Sequence, residues 1–303
     1  MTNLYQYQSQ NIRRTWLLFI VFFAVVIGLG YIFTMAYGDP SFIIFAGIFS
    51  IVYALISYYS SASIALSLAR AKEIQKSDNP ELWNIVENLS ITAGLPMPKL
   101  YITPEMQINA FATGRDPKHA AVAVTAGALQ RLNKTELQGV IAHELSHVGN
   151  RDILVSTVAA VLAGIISLIA DIFLRSLFFG GGMFGGGRGR GNGEAQEIFF
   201  IAAIVLSILA PIGTMLIQLA ISRRREALAD ASGVLLTRYP EGLISALQKI
   251  QLDTTPMASA KDSTAHMWLD TPFKGKGASW WHTLFATHPP IEARIKALQQ
   301  ISG

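Results

Sequence analysis

The chain has 303 residues, 51% of them hydrophobic and only 15% charged, well below the roughly 25% charge of soluble globular proteins. That balance points to a protein of the bilayer, and a formal net charge of +4 suits contact with anionic lipid rather than a grip on a nucleic-acid duplex. With no cysteine, disulfides, cysteine-built zinc sites and a thiol nucleophile are all excluded.

In chain order, residues 15–37 form a continuous apolar run between Arg13-Arg14 and Gly38-Asp39-Pro40. Roughly 20 apolar residues span a bilayer, and a cleavable signal peptide would have a shorter stretch of about 7–15. The run is therefore expected to stay as a transmembrane helix. A second run, 41–68, ends at Arg70, Lys72 and Lys76, and the loop between the two carries Asp39 and no basic residue. The excess of Lys and Arg puts the N-terminus and the segment after residue 70 in the cytoplasm.

Residues 70–152 regain charge and read as a soluble domain. Asn79-Pro80 opens a helix that Gly94-Leu95-Pro96 closes, proline being suited to a first turn. Short runs at 99–103, 109–113 and 120–125, rich in small and β-branched residues and separated by turn residues, predict strands. Thr135 and Gln138 then read as a capping box ahead of an apolar helical pattern at Leu137, Ile141, Leu145 and Val148.

A third apolar run, 153–179, contains Asp171 and Arg175, whose spacing allows an ion pair near the end of the span. Residues 180–193 are a glycine-rich loop, and a fourth run, 199–222, meets Arg223-Arg224-Arg225. Residues 226–303 are polar enough to be soluble, with Trp268, Trp280, Trp281 and Phe285 expected near the interface or the cleft.

The chemistry is concentrated in His143-Glu144-Leu145-Ser146-His147. Residues four apart on a helix share a face, so both imidazoles can reach one ion. Glu144 lies beside them, where it can take a proton from a water on the metal. Zinc suits nitrogen and oxygen donors and keeps a position open for water in catalytic sites. Against this stands a pair of surface histidines on an amphipathic helix, a reading that the scarcity of histidine, six in the chain, weakens.

Catalytic zinc needs a third ligand. The metzincin pattern would put a histidine where Ile153 stands. Glu226 and Asp230, on one helix face beyond the third and fourth apolar runs, are better placed in type: Glu226 as ligand, Asp230 as acceptor for the second ring N–H of a histidine. Asp152 competes with Glu226 for the ligand role. If Glu226 is the ligand, the chain must cross the membrane an even number of times between residues 147 and 226, and the two apolar runs supply that. Arg188 and Arg190 on the far side then oppose the charge rule.

Four stretches taken together carry a resemblance: His143 to His147 with Asp152, Ser222 to Asp230, Thr287-His288-Pro289-Pro290, and Asn109 to Gly114. Over essentially the whole chain they resemble the HtpX-type membrane zinc endopeptidases, relatives of the CAAX prenyl endopeptidases. The resemblance implies one zinc per chain and a multi-pass protein of the bacterial inner membrane, active on the cytoplasmic side. Its role would be quality control of misfolded or damaged membrane proteins. It further implies an extended substrate beside an edge strand at Asn109, Ala110, Phe111 and Ala112, where backbone pairing gives affinity without demanding a sequence. His288 is similar to a family histidine near the active site; it is either a donor to the oxyanion or a turn residue before a diproline. His119, His266 and His282 have no motif around them and are expected to be structural or exposed.

The expected fold is an α+β integral membrane protein, mostly helical, with four hydrophobic segments, a small β-sheet and a zincin-type active-site helix. Its parts are a transmembrane hairpin (1–69), a cytoplasmic subdomain with the histidine helix (70–152), a second hairpin (153–222) and a C-terminal cytoplasmic subdomain (223–303). The competing functions are a membrane-anchored zinc scaffold without catalysis, which has no use for Glu144, and a transporter, for which the charged residues are too few. An RNA-binding tract at Arg188-Gly189-Arg190 lacks aromatic interleaving, so no nucleic-acid partner is expected.

Overall fold

The computed structural model describes residues 4–178, 223–259, 261, 264–274 and 289–302. Two long helices, α1 (Leu4–Tyr37) and α2 (Ser41–Leu68), lie against each other. Within them Ser9–Met35 and Ser41–Leu68 are each long and apolar enough to cross a membrane. Their outer faces leave Trp16, Met35, Ile44 and Phe45 more than half exposed. So broad an apolar surface is costly in water and natural in lipid. The inner face of α1 carries Leu18, Phe22 and Val26 onto Val155, Val158 and Leu162 of α6 (Asp152–Phe178).

Beyond these helices the described chain is built on a four-stranded mixed sheet in the order β1-β2-β4-β3. β1 (Lys72–Glu73) pairs antiparallel with β2 (Lys99–Thr103), β2 runs parallel to β4 (Ala120–Thr125), and β3 (Ala110–Gly114) pairs antiparallel with β4 at an edge. Helix α3 (Pro80–Ala93) starts where the Asn79 side chain accepts from Leu82 N–H and stops at Gly94, whose φ of 65° a side chain would resist. The predicted strands and this helix thus fall where the sequence pattern puts them, β3 shifted by one residue.

The capping box of the next long helix is different from the one expected. α5 (Lys134–Gly149), which follows the short α4 (Ala126–Arg131), is capped by Asn133 and Glu136 rather than by Thr135 and Gln138. Asn133 is as good an N-cap as threonine, and Glu136 is held in place by Lys249 at 2.7 Å and Ser245 at 2.6 Å, contacts no local pattern reveals. Thr135 instead donates to the Asn133 side chain at 2.8 Å.

Helix α5 ends at an elbow. Asn150 closes it, Arg151 takes a left-handed φ of 58°, and α6 leaves at 84° to α5. The backbone of the third apolar run is therefore helical, while the side chains of Asp171 and Arg175, the glycine-rich loop and the fourth run lie outside the described residues. The chain is next described at α7 (Arg223–Thr237), then α8 (Pro240–Leu252) and α9 (Ile291–Ser302). Both α7 and α8 pack on α5. One apolar core runs from Ile74 to Leu298, so the stretches on either side of the third and fourth apolar runs close over the same interior.

Candidate metal centre

Helix α5 presents His143 and His147 one turn apart, and α7 lays Glu226 across them. Their Nε2 atoms stand 3.1 Å apart, and the Glu226 oxygens lie 3.7 Å from His143 Nε2 and 3.6 Å from His147 Nε2. Bond lengths of about 2.0–2.1 Å in a tetrahedron separate neighbouring ligand atoms by about 3.3 Å. The three side chains meet that requirement within a few tenths of an ångström, and they form the set of potential ligands that comes together among the described residues.

Two carboxylates stand behind the imidazoles. Asp230, one turn along α7 from Glu226, puts Oδ1 2.9 Å from His143 Nδ1. Asp152, the first residue of α6, puts Oδ2 3.0 Å from His147 Nδ1. A carboxylate on Nδ1 holds the N–H on that side, so Nε2 keeps its lone pair for the centre of the site. Asp152 is thus placed on the outer nitrogen of His147, with Glu226 on the inner side. Asp230 is gripped in turn by Arg294 of α9, through Nε at 2.9 Å and Nη2 at 2.6 Å.

The site is enclosed: His143, Glu144, Asp152, Glu226, Asp230 and Arg294 are all buried. Burial disfavours a charged imidazole at both positions. At His147 the carboxylates of Glu226, Asp152 and Glu144 outweigh it and push the pKa up to about 9. At His143 burial and the charge of Arg294 prevail over Asp230, and the pKa goes down. Burial alone would raise the Asp230 carboxyl, but the charge of Arg294 and the contact with His143 hold it well below the usual carboxylate range. At His147 the acidic neighbours thus favour a positive charge, a condition that a divalent cation beside the ring meets.

The predicted substrate strand lies at the sheet edge, and the chain itself covers part of it. Ala110 C=O accepts from Leu269 N–H at 3.0 Å, and the Asn109 side chain accepts from Asp270 N–H at 3.2 Å and donates to Asp270 C=O at 2.8 Å. Phe111 is buried edge-on against Trp268, with ring centroids 4.6 Å apart. Trp268 is therefore a packing residue of this strand. Ala112, two residues from Ala110, faces the same side of the sheet edge. His119 pairs with Asp116 at the surface, and buried His266 lies 2.9 Å from Ser156 C=O. His288, Trp280, Trp281, His282 and Phe285 lie outside the described residues.

Sequence reasoning passed over two residues of this neighbourhood, Arg294 and Asn11. Each interrupts an apolar helix face: Arg294 between Ile291, Ile295 and Leu298, and Asn11 on the stripe that continues through Thr15, Leu18 and Phe22. A polar side chain on an otherwise buried stripe was the available signal, since such a group survives burial only with a partner.

A profile of peptidase family M48 matches residues 76–302. The chain belongs to peptidase family M48. Among curated relatives, the protease HtpX homologue of Lactobacillus helveticus is 48% identical, over 98% of this chain and all of its own length. That of Caldanaerobacter subterraneus is 47% identical over 99% of this chain and 98% of its own. Among solved structures, the crystal structure of S. mikatae Ste24p matches with a TM-score of 0.49 and 19% identity, over 90% of this chain and 62% of that one. As an M48 chain with two apolar membrane helices and HtpX homologues along its full length, the protein is a membrane protease.

Proposed function

We propose that this M48 chain is a zinc endopeptidase in which His143, His147 and Glu226 hold one zinc, Asp152 and Asp230 orient the two rings, and Glu144 is the general base. The observation that carries this reading is the convergence of three ligand atoms, each imidazole having a carboxylate at its back. Bound there, zinc would supply Lewis acidity to the site and lower the pKa of a water to about 7. Glu144, one residue along α5 from His143, takes the proton released as water attacks the peptide carbonyl. It returns that proton to the leaving amine nitrogen as the C–N bond breaks. His288 is assigned as donor to the carbonyl oxygen as charge develops there, with Pro289 and Pro290 stiffening the turn that presents it. The substrate lies extended beside the Asn109 to Ala112 strand, pairing from Ala112 onward because Leu269 and Asp270 already occupy the edge at Asn109 and Ala110; such pairing reads the backbone and leaves the side chains free.

In this reading the site faces the cytoplasm at the inner membrane, and the substrates are unfolded or misfolded membrane proteins. Loss of tertiary structure is what makes an extended segment available to an enclosed site. α6 leaves the metal centre at Asp152 and α7 returns to it at Glu226, which fits a pair of crossings between them. The test is zinc content together with cleavage of casein by the purified protein in detergent. The expected result is one zinc per chain and cleavage that a chelator stops and added zinc restores. Stoichiometric zinc without chelator-sensitive cleavage would make the protein a metal-binding scaffold instead.

A further inference from the structure

Asn11 belongs to the first membrane helix, yet its side chain is buried at the elbow between α5 and α6. The amide nitrogen uses both of its hydrogens there, donating to Asn150 C=O at 3.1 Å and to Asp152 Oδ1 at 2.6 Å. The other oxygen of Asp152 is the one that meets His147 Nδ1 at 3.0 Å. Among the described residues, the other neighbour of Oδ1 is Arg225 Nε at 3.8 Å, too far for a hydrogen bond. The same amide spans Arg151, whose φ of 58° an L-residue rarely holds, so it ties down both the turn and the carboxylate that the turn presents.

We propose that Asn11 is a positioning residue for the metal centre: it fixes the Asp152 carboxylate, and through it the His147 ring, so that metal retention depends on how the first membrane helix is seated. The inference rests on the reading of His143, His147 and Glu226 as zinc ligands. Among the described residues α1 also meets α6 through apolar contacts along Leu18, Phe22 and Val26, which tolerate sliding and rotation. The two hydrogen bonds of Asn11 do not, because their directions are fixed. Through them a displacement of α1 in the bilayer reaches the ring of His147.

The experiment measures zinc affinity of the full-length protein in detergent by competition with a chromophoric chelator, and the visible spectrum of the cobalt-substituted protein. Asn11→Leu keeps the branched shape and removes both donors, and is expected to weaken zinc binding about 10-fold, the low end of what outer partners of metal ligands contribute. Asn11→Asp sets a second carboxylate against Asp152 and should weaken it at least as much, which decides the matter if the leucine variant does not fold. Either change should alter the cobalt spectrum, because the field at the ion changes with the ring. In an Asp152→Asn background, Asn11→Leu should cost nothing further, since the group through which it acts has changed. Wild-type affinity and spectrum in both Asn11 variants, or losses that simply add in the double variant, would overturn the proposal. Failure of the ligand assignment itself shows elsewhere, as a wild-type protein that binds no zinc or a Glu226→Ala variant that keeps it.

Discussion

Arg294 lies directly behind Asp230: its Nε and Nη2 reach the two carboxylate oxygens at 2.9 and 2.6 Å, and both side chains are buried. A planar fork on a planar carboxylate fixes an orientation as well as a charge. Asp230 Oδ1 is also the atom 2.9 Å from His143 Nδ1. The position of one imidazole is therefore set from α9, the last helix of the chain, by way of α7.

That relationship separates charge from geometry. Arg294→Lys keeps the charge and loses the fork, and is expected to weaken zinc binding about 10-fold with a small change in melting temperature. Arg294→Ala strands a buried carboxylate and should cost about 3–5 kcal/mol of stability. Chelator competition and thermal unfolding on the same preparations check both. A fully stable alanine variant with unchanged zinc affinity would show that Arg294 is a bystander.

The roles of Glu144, Glu226 and Asp152 divide by variant. Glu144→Gln should keep zinc near one per chain and abolish cleavage, because it removes proton transfer and leaves the ligands alone. Glu226→Ala should lose most of the metal. Asp152→Ala should retain the metal with affinity reduced about 10–100-fold, the effect of losing an outer partner. Metal analysis with the opposite pattern for the last two would exchange their assignments.

Much of this site was legible in the sequence because its central pieces are local. His143 and His147 are four apart on a helix, and Glu226 and Asp230 repeat that spacing on another, so each pair shares a face wherever the helices pack. The strands at Lys99–Thr103 and Ala120–Thr125 announce themselves through short apolar runs and turn residues. What escaped is what distance decides. Asn133 with Glu136 and Thr135 with Gln138 both satisfy the capping pattern, and Lys249, 113 residues on from Glu136, selects between them. Asn11 and Asp152 are 141 residues apart, and Asp230 and Arg294 are 64 apart. No periodicity links such pairs; only the polar interruption of a buried face marks them.

Acid should loosen the seam between α4, β3 and α8 through Asp253. Burial pushes this carboxyl up, but bonds from Arg131, from the Thr255 hydroxyl and from the Ile108 and Thr255 N–H groups outweigh it and hold its pKa well below the usual carboxylate range. A depressed folded value means that the stabilisation is complete above the unfolded pKa of about 3.9 and is lost as pH falls through the lower folded value. Stability should thus be insensitive to this group at neutral pH and decline from about pH 5 downward. Asp253→Asn should cost about 1.5–3 kcal/mol at pH 7 and flatten that decline. Unfolding at a series of pH values on both proteins checks it; parallel curves would remove Asp253 from the account.

The absence of native cysteine makes topology easy to read by single-cysteine labelling. Cysteines at Ser77 and Ser232 should be shielded from an impermeant thiol reagent in intact cells, and one at Gly186 should be labelled from outside. Equal shielding at all three positions would mean that the chain between Asp152 and Glu226 does not cross as a pair.

The last prediction concerns a residue with no chemistry of its own. Gly233 sits on α7 seven positions after Glu226, two turns along the same face, where that helix crosses α5 at the histidines. A Cβ built on Gly233 would stand 3.1 Å from His143 N and 3.3 Å from His143 Cα and from Ala142 C. Those neighbours are helix backbone inside a hydrogen-bonded ladder, so they cannot turn away as a flexible side chain would. The relief available is for α7 to move outward by a few tenths of an ångström with alanine and further with valine. Glu226 and Asp230 ride on that helix, so the same movement draws the proposed ligand and the carboxylate behind the ring away from His143. Gly233→Ala is therefore expected to destabilise by about 1–3 kcal/mol, the usual result of overpacking, despite alanine's better helix propensity. Zinc binding should weaken in step, and more in Gly233→Val. The control is Gly149→Ala on α5, where an added Cβ makes only ordinary contact, at 3.6 Å from Leu95, and zinc affinity should stay at the wild-type value. If Gly233→Ala proves as stable and as zinc-avid as the wild type, the approach of α7 to α5 is looser than the site requires.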